Sequence, residues 1–246
     1  MKLILAEPKY FKESVNIISE LVGEAKFRVD NDGMQLIAMD PANVAMVVFR
    51  LLVPSFTRFE IQKPEEIAIN LHNLKQVLRR IKPNDVLSLE LSEDKFKIEL
   101  KGDNTRSFLV PLIDLEEKEQ RVPELNFPYS IEMNSGVFSD LIEDVGVVAE
   151  SVTLIGEKDK VTLKAEGDLS KANIEVMHGA GAVIKSTTEK IKAKYSVEYL
   201  KKMVGASKLC EMVSISFNND YPMRLDYKEI DKMMVSFILA PRVDND

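Results

Sequence analysis

Residues Asp114 to Pro128 read DLEEKEQRVPELNFP, and this stretch divides the chain into two halves of similar length. Its apolar residues follow neither the two-residue period of a strand nor the 3.6-residue period of a helix. Its glutamates and the prolines in and beside it are Glu116, Glu117, Glu119, Glu124, Pro111, Pro123 and Pro128. A segment of this composition buries little apolar area, so we expect an extended linker on a surface.

The two flanking halves have the same order of predicted elements: strand, helix, several strands, helix, three strands. Superposing the first helix of each half places Phe11 on Phe138, an offset of 127 residues, and the same offset places Val86 on Val213. Two separated anchors with one offset indicate a duplication. The sequence therefore predicts an α+β fold of two similar domains with antiparallel sheets, each covered by helices on one face. We expect domains at residues 1–113 and 129–246, joined by a connecting loop at 114–128.

Four helices carry this pattern. In the first half, apolar residues recur at helical spacing from Phe11 to Val22, and a second helix is predicted over residues 71–82. In the second half, Asn134 or Ser135 is suited to be the N-cap of the third helix, and a fourth is predicted around residues 197–208.

Length and composition place the chain among globular proteins. With 246 residues, it is suited to two domains of about 120 residues each. No apolar run approaches the ~20 residues that a membrane span needs, and the N-terminal apolar run is too short for a secretory signal. The single cysteine, Cys210, excludes an intramolecular disulfide framework and a cysteine zinc cluster. We expect a cytoplasmic protein without cofactors.

Residues suited to catalysis are few. The two histidines, His72 and His178, lie far apart without metal-ligand spacing, so we interpret them as a surface residue and a turn residue. Asp140, Glu143 and Asp144 share one predicted helix and could hold a divalent metal for acid–base chemistry. Because no histidine or asparagine accompanies them at matching spacing, a solvated acidic face is the favoured interpretation, and a carboxylate metal enzyme is the alternative.

Basic residues give a clearer signal, although the net charge of −7 argues against nucleic-acid affinity over the whole surface. Lysines and arginines gather on corresponding helices of the two halves, and an offset of 126 places Lys75 on Lys201 and Lys82 on Lys208. Such a patch could follow a phosphate backbone without reading bases, or it could be an ordinary lysine-rich helix surface. The candidate phosphate-binding residues are Lys9, Lys12, Lys75, Arg79, Arg80, Lys82, Lys201, Lys202 and Lys208.

Three segments resemble a known family. They are IAMDPANVA at residues 37–45, PLIDL at 111–115 and LAPRV at 239–243. Their order and the total length resemble DNA sliding clamps, and in particular the archaeal homologues of proliferating cell nuclear antigen. The resemblance covers essentially the whole chain.

The resemblance implies a non-enzymatic processivity factor of DNA replication and repair. Two similar domains would be joined by an interdomain connecting loop, and three subunits would close into a homotrimeric ring with helices lining the hole and sheets outside. The basic residues would then contact duplex DNA independently of its sequence. Expected partners are DNA polymerase, the clamp loader, flap endonuclease and DNA ligase, with the protein associated with the nucleoid. One subunit of a heterotrimeric clamp, and a clamp-like module that does not load, are the further alternatives.

The resemblance also implies two protein-binding surfaces. A pocket for short partner peptides would comprise Met39, Val44, Met46, Val122, Pro123, Phe127, Pro222, Ile238, Ala240 and Pro241. Strand 106–113 of one subunit would pair with strand 172–177 of the next. We further hypothesise that Asp140 and Asp144, on a helix where animal clamps carry arginines, face the basic residues of the neighbouring subunit. The interface residues would be Arg80, Lys82, Arg106, Phe108, Val110, Asp140, Asp144, Ile174 and Val176.

Overall fold

The computed structural model describes residues 1–92, 95–115 and 120–243. Glu116, Glu117 and Glu119 of the predicted linker lie outside the described residues. The described remainder of the linker, residues 114–115 and 120–128, contains no helix or strand, in agreement with the sequence pattern.

In each half the elements follow the predicted order of strand, helix, several strands, helix and three strands. The first half contains β1 (Lys2–Leu5), α1 (Lys9–Ile18), β2 (Glu24–Asp30), β3 (Gly33–Met39), β4 (Ala45–Leu52), β5 (Arg58–Glu60), β6 (Glu65–Asn70), α2 (Leu71–Leu78), β7 (Val86–Ser92), β8 (Lys95–Lys101) and β9 (Thr105–Pro111). The second half contains β10 (Tyr129–Asn134), α3 (Ser135–Gly146), β11 (Ser151–Glu157), β12 (Lys160–Glu166), β13 (Lys171–Met177), β14 (Ala182–Ser186), β15 (Lys190–Ser196), α4 (Val197–Val204), β16 (Met212–Phe217), β17 (Met223–Glu229) and β18 (Met233–Leu239).

The chain forms two compact units, each with antiparallel strand pairing. Unit 1 comprises residues 1–41, 47–122 and 229–235, and unit 2 comprises residues 42–46, 123–228 and the chain from 236 onward. The strand orders β5-β1-β7-β8-β9 and β4-β3-β2-β6 in the first half become β14-β10-β16-β17-β18 and β13-β12-β11-β15 in the second. Every strand number rises by nine while the order stays the same. The duplication inferred from two pairs of anchor residues therefore extends through the topology.

The helices bury the residues that define their apolar stripes. On α1, Phe11 and Val15 are fully buried, and the Phe11 ring lies 5.9 Å from that of Phe27 on β2. Phe138 has the corresponding buried position on α3. The N-cap of α3 is Asn134, whose side-chain oxygen accepts hydrogen bonds from the backbone N–H groups of residues 136 and 137. The offset of 127 therefore aligns two core positions.

The core of unit 2 also contains a buried tyrosine. The Tyr129 ring lies 5.0 Å from that of Phe217, and its hydroxyl donates to the Lys160 carbonyl at 3.0 Å. Gly156 leaves room for this ring, since a Cβ atom there would lie 2.8 Å from ring carbons. Burial raises the pKa of the Tyr129 phenol well above its ordinary value.

Two helices are shorter than the sequence predicts. Helix α2 ends at Leu78 rather than Lys82, so the prediction that it carries Arg79, Arg80 and Lys82 is wrong. The last turn tightens, because Arg80 N–H bonds to the carbonyl of residue 77, and Pro83 disfavours helical geometry at the residue before it. Helix α4 ends at Val204, and Lys208 lies in the 3₁₀ turn Gly205–Lys208 that follows.

Candidate nucleic-acid interface and partner sites

Three of the predicted DNA-binding lysines form ion pairs within their own unit. Lys75 lies 2.5 Å from Glu20, Lys201 lies 2.7 Å from Glu143, and Lys202 lies 2.8 Å from Glu198, one helical turn earlier. The Lys75 side chain is also only 12% exposed. Because each charge is already balanced by a carboxylate, these lysines offer less attraction to phosphate than the sequence suggests.

Five other predicted residues are better suited to meet a phosphate backbone. Lys9, Arg79, Arg80 and Lys208 are exposed and Lys12 is half-buried, and none of their side chains forms an ion pair within residues 1–92, 95–115 and 120–243. Arg79 is the C-cap of α2, and Arg80 directly follows it. Cations at this end of a helix are favoured by the partial negative charge of its unpaired carbonyls.

Arg106 is held inside its own subunit by a carboxylate that the sequence analysis missed. Its guanidinium pairs with Asp85, whose side chain is only 2% exposed, and donates a second bond of 2.8 Å to the Arg80 carbonyl. The Lys82 N–H donates to the same carboxylate at 2.7 Å. These contacts tie the segment after α2 to β9, and any contact of Arg106 with Asp140 or Asp144 of a neighbour would share this guanidinium.

The Asp85 carboxyl is tuned by these contacts. Its pKa lies below the ordinary aspartate value, chiefly because the Lys82 N–H donates to the charged form and also because Arg106 does, while burial acts in the opposite direction. Gly102 allows the close approach, since a Cβ atom there would lie 2.3 Å from an Asp85 oxygen.

The acidic residues of α3 do not gather into a metal site. Asp140, Glu143 and Asp144 are exposed, and Glu143 is engaged by Lys201. In the part of the chain that the structure describes, no three His, Cys, Asp or Glu side chains are close enough together to hold a metal ion. His72 is exposed on α2, and His178, in the turn before β14, accepts a hydrogen bond from the Ile184 N–H at 3.0 Å.

The predicted interface strands are both edge strands of their sheets. Among the described residues, β9 pairs only with β8, and β13 pairs only with β12. Both strands are seven residues long, and each shows alternating exposure over most of its length. Phe108, Ile174 and Val176 are half-buried and Val110 is buried, while Leu109 is 59% exposed.

The residues predicted to bind partner peptides are distributed over both units. In unit 2, Ala240 N–H donates to the Val44 carbonyl at 2.9 Å, and Met46 and Ile238 are almost fully buried. Phe127 packs edge to face on Tyr221 at 6.0 Å. Sequence reasoning missed Tyr221, although an aromatic residue beside Pro222 was a usable signal. The other unit 2 residues are exposed or half-buried, namely Pro123, Pro222 and Pro241.

Two of the predicted pocket residues belong to unit 1. Met39, at the end of β3, is half-buried, and Val122 is exposed. Their side chains are therefore accessible within that unit.

Across the described residues, no helix has both the length and the apolar character that crossing a membrane requires.

Comparisons with known proteins cover the full chain. The N-terminal domain of proliferating cell nuclear antigen matches residues 1–120, and the C-terminal domain matches residues 121–243. The DNA polymerase sliding clamp of Pyrococcus furiosus is 34% identical over 245 residues, which are 99% of this chain and 98% of that protein.

Solved structures give the same result. The crystal structure of PCNA from Thermococcus kodakaraensis superposes with a TM-score of 0.92 at 27% identity, covering 98% of this chain and 99% of that one. A chain of the PCNA2–PCNA3 complex from Sulfolobus tokodaii has the same fold, with a TM-score of 0.91 at 24% identity, covering 98% and 99%.

The repeated α+β units and these matches define a sliding clamp of DNA polymerase, a class of DNA replication proteins that act without enzymatic activity. The chain belongs to the proliferating cell nuclear antigen family, and the relatives it matches at 30–34% identity are archaeal.

Proposed function

We propose that this sliding clamp acts as a homotrimeric ring that encircles duplex DNA. The observation that carries the proposal is the constant shift of nine in strand numbering between the two halves, which makes β9 and β13 the counterparts of β18 and β4. Hydrogen bonds already join the segments around β4 and β18: Leu52 N–H donates to the Lys232 carbonyl at 2.8 Å in unit 1, and Ala240 N–H donates to the Val44 carbonyl at 2.9 Å in unit 2. By the symmetry of the repeat, β9 of one subunit would pair with β13 of the next.

Such pairing would also give hydrogen-bond partners to the backbone groups at the edges of β9 and β13. An exposed strand edge offers unpaired N–H and C=O groups to other chains, and a closed ring removes such edges. Phe108, Val110, Ile174 and Val176 would be buried at the seam. Arg80, Lys82 and Arg106 would lie near it with Asp140 and Asp144 of the neighbour. Two repeats per subunit then give six similar units around a ring.

Duplex DNA would contact the helical face through cations without carboxylate partners. Lys9, Lys12, Arg79, Arg80 and Lys208 are the strongest candidates, and Lys82, beside Asp85, is a further one. Lys75, Lys201 and Lys202 contribute less because of their ion pairs. Phosphate contacts of this kind are independent of sequence and sensitive to salt, which suits a ring that slides.

Partner proteins would bind through short peptides at the predicted pocket. The domains would be residues 1–113 and 129–246, with the connecting loop at 114–128 beside the pocket. We expect the partners to include DNA polymerase, the clamp loader, flap endonuclease and DNA ligase, and we expect the protein to act at the nucleoid. Half-buried Phe127 and Tyr221, together with the neighbouring prolines, offer an apolar and adaptable surface for such peptides.

Retention on circular DNA tests the ring directly. Clamps assembled on a nicked plasmid and washed at high salt should remain bound, and they should dissociate once a restriction enzyme linearises the plasmid. Phe108→Asp should abolish retention, while Leu169→Asp, the same type of change on an exposed hairpin turn, should preserve it. Equal retention on circular and linear DNA would contradict the proposal.

A heterotrimeric clamp is the second candidate, and the likeness to a chain of the PCNA2–PCNA3 complex favours it. In that case β9 and β13 of this chain would pair with subunits whose sequences differ from that of this chain. The protein purified alone would then fail to reach the mass of a trimer, and adding the missing subunits would restore it.

A further inference from the structure

A trough of about 980 Å³ lies on one face of the four-stranded sheet of unit 2. Among the described residues, six cationic side chains line it against two carboxylates, Glu166 and Asp220, in a chain whose net charge is −7. We call this surface the lysine trough; its cations are Lys164, Lys171, Lys190, Lys192, Lys194 and Arg242. Positive charge is therefore concentrated where the overall composition gives no sign of it.

The trough lies on the face of the sheet opposite the helices. Neighbouring residues of a strand point to opposite faces, so Leu154, Leu163 and Ala193 are buried on the side where α3 and α4 pack. The next row across the sheet contains Lys194, Thr153 and Lys164, which point into the trough. If the helices line the DNA channel as proposed, the trough faces outward, but its geometry does not depend on the ring.

The charges of the trough are only partly balanced. Lys171 pairs with Glu166, and Lys190 lies 3.3 Å from Glu157. Lys164 and Lys192 are exposed and form no ion pair within the described ranges of the chain. Nearby side chains of Ser151, Thr153 and Asn173 add neutral hydrogen-bonding groups. The surface can therefore accept carboxylates without breaking the ion pairs it already has.

Spacing of the lysines indicates the shape of the ligand. Lys190, Lys192 and Lys194 occupy successive positions on one face of β15, about 6.7 Å apart. An extended peptide presents alternate side chains with the same repeat. The edge of β15 is already occupied, because Lys192 N–H donates to the Asn219 side chain and Arg242 N–H donates to the Lys194 carbonyl, each at 2.7 Å. A peptide would thus lie over the face of the sheet and not extend its edge.

We propose that the lysine trough is a docking site for an extended acidic segment of a partner protein, in which carboxylates alternate with uncharged residues. A single-stranded nucleic acid fits less well. No aromatic side chain lines the trough among the described residues, whereas such strands are held largely by stacking on aromatic rings. Glu166 and Asp220 would also repel a continuous polyanion.

Binding of a labelled peptide tests this site. The probe is a fluorescein-labelled (Glu-Ser)5 peptide, measured by fluorescence anisotropy against the full-length protein at low salt. A (Glu)5(Ser)5 peptide of equal charge and a twelve-residue thymidine strand are the comparison ligands. We expect (Glu-Ser)5 to bind most tightly, and Lys164→Gln with Lys192→Gln to weaken it about tenfold through the loss of two charged contacts.

Lys63→Gln with Lys228→Gln is the matched control, because it removes the same charge at exposed positions elsewhere. The control should change affinity less than about twofold, and both variants should keep the wild-type melting temperature and retention on circular DNA. Equal weakening by both variants, or no saturable peptide binding, would overturn the proposal. Thymidine binding that the trough variant abolishes, without peptide binding, would identify a nucleic-acid site and overturn it as well.

Discussion

Replacing Arg79 and Arg80 with glutamine should flatten the salt dependence of DNA binding. Both side chains are exposed after α2 and form no ion pair in the described part of the chain, so each is able to contact a phosphate. The slope of log K against log salt changes by about 0.9 for each phosphate contact. Loss of both residues should reduce it by about 1.8 for each protomer that contacts the DNA, and by about 5.4 if all three do.

The assay is fluorescence anisotropy with a labelled linear duplex, onto which a ring can thread, at salt concentrations from about 50 to 200 mM. The matched control is Lys201→Gln with Glu143→Gln, which removes a cation together with its partner at 2.7 Å and leaves the net charge unchanged. Its slope should equal that of the wild type. An unchanged slope for the arginine variant would refute the assigned contacts, and a flattened slope for the control would show that Lys201 leaves Glu143 for phosphate.

Three further predictions concern stability, each measured by thermal or denaturant unfolding. Asp85→Asn keeps an acceptor for the Lys82 N–H but removes the charge that Arg106 binds. Because the folded-state pKa of Asp85 is lowered, the contribution of its charge to the free energy of unfolding is present at neutral pH and is lost as pH falls below about 4. The stabilities of variant and wild type should therefore converge in acid, and a difference independent of pH would contradict this. Tyr129→Phe should lower the free energy of unfolding by about 1 kcal/mol through loss of the bond to Lys160, and no change would mean that the bond contributes nothing. Gly156→Ala should lower the free energy of unfolding by about 1–3 kcal/mol because its Cβ atom would meet the Tyr129 ring. Adding Gly156→Ala to a Tyr129→Leu variant should lower the free energy of unfolding by less than adding it to the wild type.

Local sequence signals were sufficient for most of the fold. Helical spacing around Phe11 and Phe138 identified two buried helices, and Asn134 was recognisable as an N-cap because its side chain accepts bonds from the next turn. Helix α2 was overextended because Arg79 and Arg80 favour helices, while the tight turn before Pro83 depends on a buried carboxylate at Asp85. The resemblance of three short segments to clamps identified the family, which composition could not do.

The electrostatics of the site depended on contacts distant in sequence. Glu20 and Lys75 are 55 residues apart, and Lys201 and Glu143 are 58 apart, so no local pattern indicates that these lysines are neutralised. The lysine trough likewise arises only when the register of β11, β12 and β15 places Lys194 and Lys164 in one row.

The mass of the purified protein in solution, measured by light scattering at several salt concentrations, tests the closed ring of identical subunits most directly. We expect about 83 kDa, three times the 27.8 kDa of one chain, at low and moderate salt. A mass near that of a single chain at every salt concentration would contradict it.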